Sequence, residues 1–461
     1  MSNIDAVLNS IDANLDASVE RLFDLLRIES ISTDPAYNSE CKKAAEVLVS
    51  DLASIGFDAK LHETPGHPMV VAHHDGPENA PHVLFYGHYD VQPVDPLELW
   101  DEPPFEPAIK EMPDGSKQIT GRGTSDDKGQ LMTFVEACRA WKSETGGLPV
   151  KVTIFFEGEE ESGSPSLIPF LEENKELLKA DFALVCDTGM WDRETPAIST
   201  ALRGLLGEEI IIQAASRDLH SGMYGSAAAN PIRILTRILS GLHDDDGSCT
   251  LPGFYDGVPE TPDDIKKMWA GLGFSEEEFL GDVGLSIPAG EEGRSVLEQV
   301  WARPTCEFNG IVGGYIGEGF KTVIPAIASA KVSFRLVGTQ DPDAIRVALH
   351  DYVQNALPAD CSVTFKDHSA SPAVHLGYDM PEMKKAATAL TEEWGKETAL
   401  TGMGGSIPVV GHFQDILEME SLLVGFAQDD DRIHSPNEKY ELKSFHKGAR
   451  SWARIMQALA E

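Results

Sequence analysis

The chain has 461 residues, more than one hydrophobic core usually serves, so two domains are expected. Hydrophobic residues make up 42% and charged residues 24%, ordinary values for a globular protein. The formal net charge is −38, from 37 basic and 75 acidic side chains, and such a surface repels phosphate backbones and anionic lipid, which argues against nucleic-acid and membrane partners.

No apolar run reaches the roughly 20 residues of a membrane helix. The opening MSNIDAVLNSIDANLD is acidic and amphipathic, without the basic flank and apolar stretch of a secretory leader, so a cytoplasmic location is expected. Residues 4–27 read as one helix, and residues 41–52 as a second with apolar positions at helical spacing. Three short runs rich in β-branched and aromatic residues follow, at 83–86, 150–156 and 182–186, with helix-like stretches between them, the clearest at 130–141. Strands alternating with helices predict an α/β layer with a largely parallel sheet. Near Arg203 and Gly204 the character changes. A strand at 210–213, a helix at 231–239 with Pro231 in its first turn, an irregular acidic excursion at 241–293, a cleanly alternating strand at 330–336, a helix at 342–353 and a strand at 363–365 predict a separate α+β unit. A helix at 381–394, a short strand at 422–426 and a closing helix to Ala460 return to the first pattern. The expected layout is a discontinuous domain of residues 1–204 and 375–461, with a second domain of residues 205–374 inserted. Six cysteines are present without a C-x-x-C pair, and they are expected to be free buried thiols.

Ligands of parallel α/β sheets bind beyond the carboxyl ends of the strands. In this chain every such end presents histidine or carboxylate. GHYD follows the strand at 83–86, EGEEESGS the strand at 150–156, DTG the strand at 182–186, and RIHSPNE the strand at 422–426, while GRGTSDDKG opens the helix at 130–141. Taken singly, each has a plain structural explanation as a solvated loop, a turn or a cap. Taken together at four strand ends, they fit a pair of divalent metals, which would relieve the repulsion among the acids. A carboxylate shared by both ions is what two-metal hydrolytic sites require. The spacing of His88 and Asp90 puts both on one strand face, where Asp90 can fix the imidazole tautomer. Adjacent Glu160 and Glu161 point in different directions, so one can bind metal while the other stays free as a base.

In this order, GHYDVQP, GRGTSDDKG, EGEEESGS, DLHSG, KTVIPA with SFRLV, GGSIP and HSPNE resemble the two-zinc peptidase superfamily. That group contains carnosinase, cytosolic non-specific dipeptidase, acetylornithine deacetylase, succinyl-diaminopimelate desuccinylase, aminoacylase and carboxypeptidase G. The carnosinase and cytosolic dipeptidase branch is the nearest, and the match runs from about Leu22 to the C-terminus. The resemblance implies a two-zinc peptidase domain with a mixed, largely parallel sheet and helices on both faces, plus an inserted α+β lid and dimerisation domain. It implies that His88, Asp126 and Asp187 bind one metal and Asp126, Glu161 and His434 the other, with Asp126 bridging. The ions would be zinc, with manganese or cobalt as alternatives. Glu160 would be the general base acting on a water held between the metals, and Asp90 would orient His88. His220 would reach across a homodimer interface into the partner's site, while Thr322, Arg335 and Ser406 would line the substrate pocket, with Arg335 pairing with a substrate carboxylate.

Two positions depart from the pattern. Met403 stands before GGS where carnosinase-like members commonly carry an acid, and Gly338 stands where proline is usual. The expected activity is hydrolysis of an amide or peptide bond in a small carboxylate-bearing substrate, a dipeptide first. Without an acid at position 403 to receive a free amine, an N-acyl amino acid deacylase of the same architecture is the rival. An inactive binding or scaffold protein is the rival from another class. GYIGEGFKT at 314–322 is no phosphate loop, because Phe320 separates Gly319 from Lys321.

Overall fold

In the computed structural model, which describes residues 3–405 and 407–461, the chain forms two units. The first comprises Met1–Thr200, Leu376–Thr401 and Val409–Glu461, the second Ala201–His375 and Gly402–Pro408. Ser406 lies outside the described residues.

Successive residues of a strand face opposite sides of its sheet, so a strand apolar on both sides needs cover on both. His82–His88 is such a strand. Phe85 stacks on Phe134 of the helix Lys128–Thr145 with ring centroids 3.9 Å apart, and meets Trp452 of the helix Leu442–Ala460 edge-on at 5.5 Å. Tyr86, one residue on, meets Phe413 of the helix Pro408–Leu417 edge-on at 5.7 Å. Helices therefore cover both faces. Lys151–Glu157, His82–His88, Phe182–Val185 and Ser421–Leu423 are parallel neighbours at the sheet centre. Asp58–His62 and Met69–His74 add antiparallel strands at one margin, and Ala197–Leu202 runs antiparallel to Ser421–Leu423 at the other. The architecture is the expected mixed α/β sheet, parallel at its centre and antiparallel at both margins.

A smaller antiparallel sheet joins Ala108–Glu111, Lys117–Thr120 and Lys439–Glu441. It places Lys439 opposite Thr120, and so brings the ends of two distant loops, 121–127 and 428–438, side by side.

The second unit is a four-stranded antiparallel sheet in the order Thr305–Gly313, Ile327–Leu336, Gly204–Gln213, Ser362–Ser371. Its helices Pro231–Ser240 and Pro342–Ala356 each start with proline behind a side-chain cap, Asn230 accepting from the Ile232 N–H and Asp341 from the Asp343 N–H. The alternating strand keeps Ala328, Ala330, Val332, Phe334 and Leu336 inside, in one apolar cluster with Leu235, Ile238, Leu239, Ile345, Leu349 and Val353. Gly402–Pro408 is held in this unit by the Arg203 N–H, which donates to the Gly405 carbonyl at 3.2 Å.

Two expectations need correction. The single helix at 4–27 is two, Asn3–Ala13 and Leu15–Leu26, separated at Asn14, whose φ of −106° and ψ of 12° depart from helical values. The excursion at 241–293 holds two short helices, Asp263–Gly271 and Glu276–Gly281, and it is anchored by buried Leu251, Phe254, Ile265 and Trp269. Among the described residues no helix is long and apolar enough to cross a membrane.

Candidate active site

The loops that carry the expected ligands are shaped by close backbone approaches. Gly87 precedes His88 at the end of its strand, and a Cβ there would meet Asp127 Oδ2 at 2.8 Å. That carboxylate accepts the His88 N–H at 3.1 Å. Gly158 leads into the turn Glu160–Ser162, where a Cβ would meet the Tyr89 hydroxyl at 2.2 Å. Either side chain would push a ligand loop out of place. Asp126 and Asp127 stand at the start of the helix Lys128–Thr145, and Asp187 follows the strand Phe182–Val185. His434 sits at the tip of its loop with φ +61°, a left-handed conformation that costs a non-glycine residue strain.

From these separate elements the first unit brings together all five expected ligands. His88 Nε2 lies 3.0 Å from Asp126 Oδ1, and His434 Nε2 lies 2.9 Å from Asp126 Oδ2 and 3.2 Å from Glu161 Oε2. Candidate ligand atoms of His88, Asp126 and Asp187 all fall within 4.8 Å of one another, as do those of Asp126, Glu161 and His434. Asp126 belongs to both groups and offers a different oxygen to each histidine. Ligands about 2.0–2.1 Å from a tetrahedral zinc ion stand about 3.3 Å apart, so these separations and this mixed nitrogen and oxygen donor set fit divalent cations.

The electrostatics point the same way. Burial, then the charge of Asp126, holds the Asp187 carboxyl well above the carboxylate range. Burial likewise raises Glu160, with His88 opposing and Glu161 adding to the rise. Burial would raise Asp126 too, but hydrogen bonds from His434 and His88 outweigh it and hold that carboxyl below its usual range. His434 is raised to about 10 by its hydrogen bonds to Asp126 and Glu161. Without cations, this cluster retains protons that dications would displace.

Asp90 does more than its spacing predicts. His88 Nδ1 lies 3.3 Å from Asp90 Oδ1, but the bond with proper hydrogen-bond geometry runs to the Asp90 main-chain oxygen at 3.2 Å. Asp90 Oδ2 accepts the Glu161 N–H at 3.0 Å, and Gln92 Nε2 donates to Glu161 Oε2 at 2.7 Å. Asp90 thus ties the loops of two candidate ligands together.

The remaining expected residues lie in the second unit. His220 is exposed at the start of the short helix Ser221–Tyr224, its Nδ1 accepting the Gly222 N–H at 3.0 Å. The Thr322 carbonyl accepts the Ser221 N–H at 3.0 Å, which seats Thr322 beside His220. Arg335, half-buried on the central strand, is registered against Thr305 and Leu205. Met403 ends the strand Ala399–Met403.

The sequence reading passes over Asp127, Gln92, Arg203 and Glu438. Burial lowers the Arg203 guanidinium to about 10, and the charge of Arg335 adds to the drop. Glu438 was visible only as the last letter of HSPNE. A third cluster, Glu208, His350 and Asp367, also meets the ligand spacing. There Arg346 Nε lies 3.2 Å from Glu208 Oε2, and the group reads as an ion-paired network.

Residues 84–458 match the family model described as peptidase family M20/M25/M40. The Cys-Gly metallodipeptidase dug1 of Schizosaccharomyces pombe is 30% identical over 99% of this chain and 98% of its own. The solved structure of the di-peptidase Dug1p from Saccharomyces cerevisiae is 28% identical, with a TM-score of 0.76 over 100% of this chain and 99% of that one. Human carnosine dipeptidase 1 is 25% identical, with a TM-score of 0.75 over 100% and 99%.

Proposed function

This chain belongs to peptidase family M20/M25/M40, a family of metallopeptidases, and from that premise we propose that it is a dipeptidase working with two divalent metal ions, zinc first. The observation that carries the reading is Asp126, shared by two groups of three candidate ligands in one unit. His88, Asp126 and Asp187 would hold one ion and Asp126, Glu161 and His434 the other. Bound there, such ions acidify water and polarise a scissile carbonyl. Glu160 takes the proton of the attacking water and returns one to the leaving amine. Asp90 keeps the His88 imidazole and the Glu161 backbone in register, so both present the same atoms throughout. Arg335, with Arg203 beside it, pairs with the substrate carboxylate, and Thr322 and Ser406 complete the substrate pocket. His220, contributed by a second subunit, donates to the carbonyl oxygen as it gains charge.

A homodimer is part of this reading. The edge strand Thr305–Gly313 leaves Phe308, Ile311 and Val312 exposed, with Ile316 and Phe320 exposed just beyond it. An uncovered apolar edge of this kind calls for pairing with a second copy. The opposite edge strand, Ser362–Ser371, carries exposed Lys366 and Asp367 instead. The six cysteines are unpaired, which suits a reducing, cytoplasmic compartment.

Met403 favours one second reading. A thioether cannot pair with a free substrate amine, so an N-acyl amino acid deacylase remains the competitor. The test is a parallel assay of metal-reconstituted enzyme on cysteinylglycine, β-alanyl-histidine and an N-acetyl amino acid. Turnover of a dipeptide, lost at least about 100-fold in Glu160→Gln with metal content unchanged, is the expected outcome. Turnover of the N-acetyl compound alone would transfer the assignment to the deacylase. A protein that loads metal and turns over none of the three would be a binding protein.

A further inference from the structure

Glu438 is fully buried, and four donors converge on its carboxylate. Oε1 accepts the Ser125 N–H at 2.9 Å and the Asp126 N–H at 3.2 Å. Oε2 accepts the Gly123 N–H at 3.0 Å and Arg122 Nη1 at 2.7 Å. The Glu438 main-chain oxygen accepts the Gly121 N–H at 3.1 Å. A carboxylate offers about four acceptor positions, so this one is saturated by the 121–126 loop and keeps none for a cation or substrate. Its counter-charge, Arg122, is equally buried, donates on to the Pro93 carbonyl at 2.9 Å and lies over the Trp100 ring at 5.4 Å.

The same residue closes the loop that carries His434. Asp431 and Lys439 bracket that loop, the Lys439 N–H donating to the Asp431 carbonyl at 3.0 Å and Lys439 Nζ reaching Asp431 Oδ1 at 2.7 Å. Asp431 Oδ2 takes the Ser125 hydroxyl at 2.7 Å. Residues 121–126 and 431–439 are therefore locked as one block. Asp126 and His434, the latter in its left-handed conformation, both belong to this block, and their side chains meet at 2.9 Å.

We propose that Glu438 is a positioning residue for the metal centre: through the backbone N–H groups of Ser125 and Asp126 it presets the bridging carboxylate and the His434 loop in one frame before any cation arrives. This rests on the ligand assignment above. Replacing the carboxylate by an amide keeps the shape but turns an NH2 group toward part of this donor set. Arg122 and Gly123 hold the remaining oxygen through the charged contact, so the Ser125 and Asp126 N–H groups lose their acceptor. Because Asp126 serves both ligand sets, both ions are weakened together.

The experiment measures zinc(II) affinity by chelator competition and the cobalt(II) visible spectrum on the full-length protein. Wild type, Glu438→Gln, Glu438→Asp, Glu441→Gln and Asp126→Ala are compared, with circular dichroism and urea midpoints for each apo form. Glu441 is buried in the same small sheet and bonded to Gln118, and it reaches the block only through Lys439 Nζ at 3.3 Å, with no hydrogen bond to the 121–126 loop, so it reports a structural loss beside the ligand loops. Glu438→Gln is expected to fold, to lose about 10- to 100-fold in affinity for both zinc ions and to shift the cobalt spectrum, while Glu441→Gln loses stability alone. Should Glu438→Gln fail to fold, Glu438→Asp keeps the Arg122 pairing but falls short of the Ser125 and Asp126 N–H groups, and the same affinity loss is expected. Affinities within twofold of wild type in the folded Glu438 variant, or a loss no larger than that of Glu441→Gln, would overturn the proposal and leave the metal reading intact. A wild-type protein that binds no zinc, or an Asp126→Ala variant that keeps both ions, would overturn the ligand assignment and this inference with it.

Discussion

Asp126 sends its two oxygens to two imidazoles, 3.0 Å from His88 and 2.9 Å from His434. A side chain that serves two ligand sets behaves differently under mutation from one that serves a single set. Asp126→Ala is expected to lose both metal ions, whereas Glu161→Ala and His434→Ala each weaken one. Elemental analysis after gel filtration reads the difference, and one tightly held ion in Asp126→Ala would contradict the bridge. The five ligand candidates are legible in the sequence because each follows the abrupt end of an apolar run, and parallel strands aim those ends at one place. Glu438, Asp127 and Gln92 are not legible in this way. They act by hydrogen bonds to main-chain groups and to other side chains, and which N–H a carboxylate will reach depends on a pairing such as Lys439 with Thr120, 319 positions apart by their numbering. Asp90 is an intermediate case. Its two-residue spacing places it beside His88, but its bond to the Glu161 N–H crosses between strands and leaves no trace in local spacing.

Among the elements, the helix Lys128–Thr145 is the one the first unit is built around, with every residue from Lys128 to Cys138 buried. A helix buried on all sides must satisfy any charge it carries. Glu136, with only 4% of its side chain exposed, does so by accepting Ser18 Oγ at 2.8 Å and Arg21 at 2.7 and 2.6 Å, with Arg139 3.3 Å away. Burial pushes this carboxyl upward, but the bond from Arg21 and the charges of Arg139 and Arg21 outweigh it, and the folded-state value lies below the ordinary 4.5. A depressed acid contributes its full stability above the unfolded value and loses it as the pH falls through the folded one. Glu136→Gln should therefore cost about 1–3 kcal/mol at neutral pH. That difference from wild type should shrink below about pH 4.5, as read by urea unfolding of the two apo proteins. A gap constant down to strongly acid pH would mean that shape, not charge, sets the cost. The central helices and strands were readable from their periodicity. The edge strands Asp58–His62 and Thr305–Gly313 were not, because strands at a sheet margin need not carry a long apolar run, and Met69–His74 was passed over although its Met69–Ala72 run is apolar and buried. The short helices within 241–293 were missed for a related reason, since their few buried residues are scattered among acidic and glycine-rich stretches.

At the scale of the molecule, the change of character near Arg203 was readable because a period-2 pattern with one polar face replaces strands that are apolar on both. The return of Gly402–Pro408 to the second unit was not, since its contacts with Arg203 are one main-chain hydrogen bond, to Gly405, and one from the guanidinium, to Gly404. His220 belongs to that second unit and is remote in sequence from every ligand candidate. Within its own chain it is an exposed side chain accepting one N–H, an arrangement that accounts for a turn and nothing more. Under the function proposed above, its DLHSG context would place it in the site of a second subunit, donating to the developing oxyanion. The loss of one such donor costs about 100- to 1,000-fold in turnover. His220→Ala should accordingly keep its fold and both metal ions but lose activity by that factor. Glu160→Gln should be inactive for a different reason, its donor intact and its base gone. Mixed and allowed to exchange subunits, the two form heterodimers in which one site combines an intact Glu160 with a donated His220. Activity should then return toward the level set by one working site in each heterodimer. Exchange can be followed independently by native mass spectrometry of isotopically distinct subunits. If heterodimers form and no activity returns, His220 acts within its own chain or not at all, and the exposed apolar edge at Phe308, Ile311 and Val312 must be explained without a shared active site.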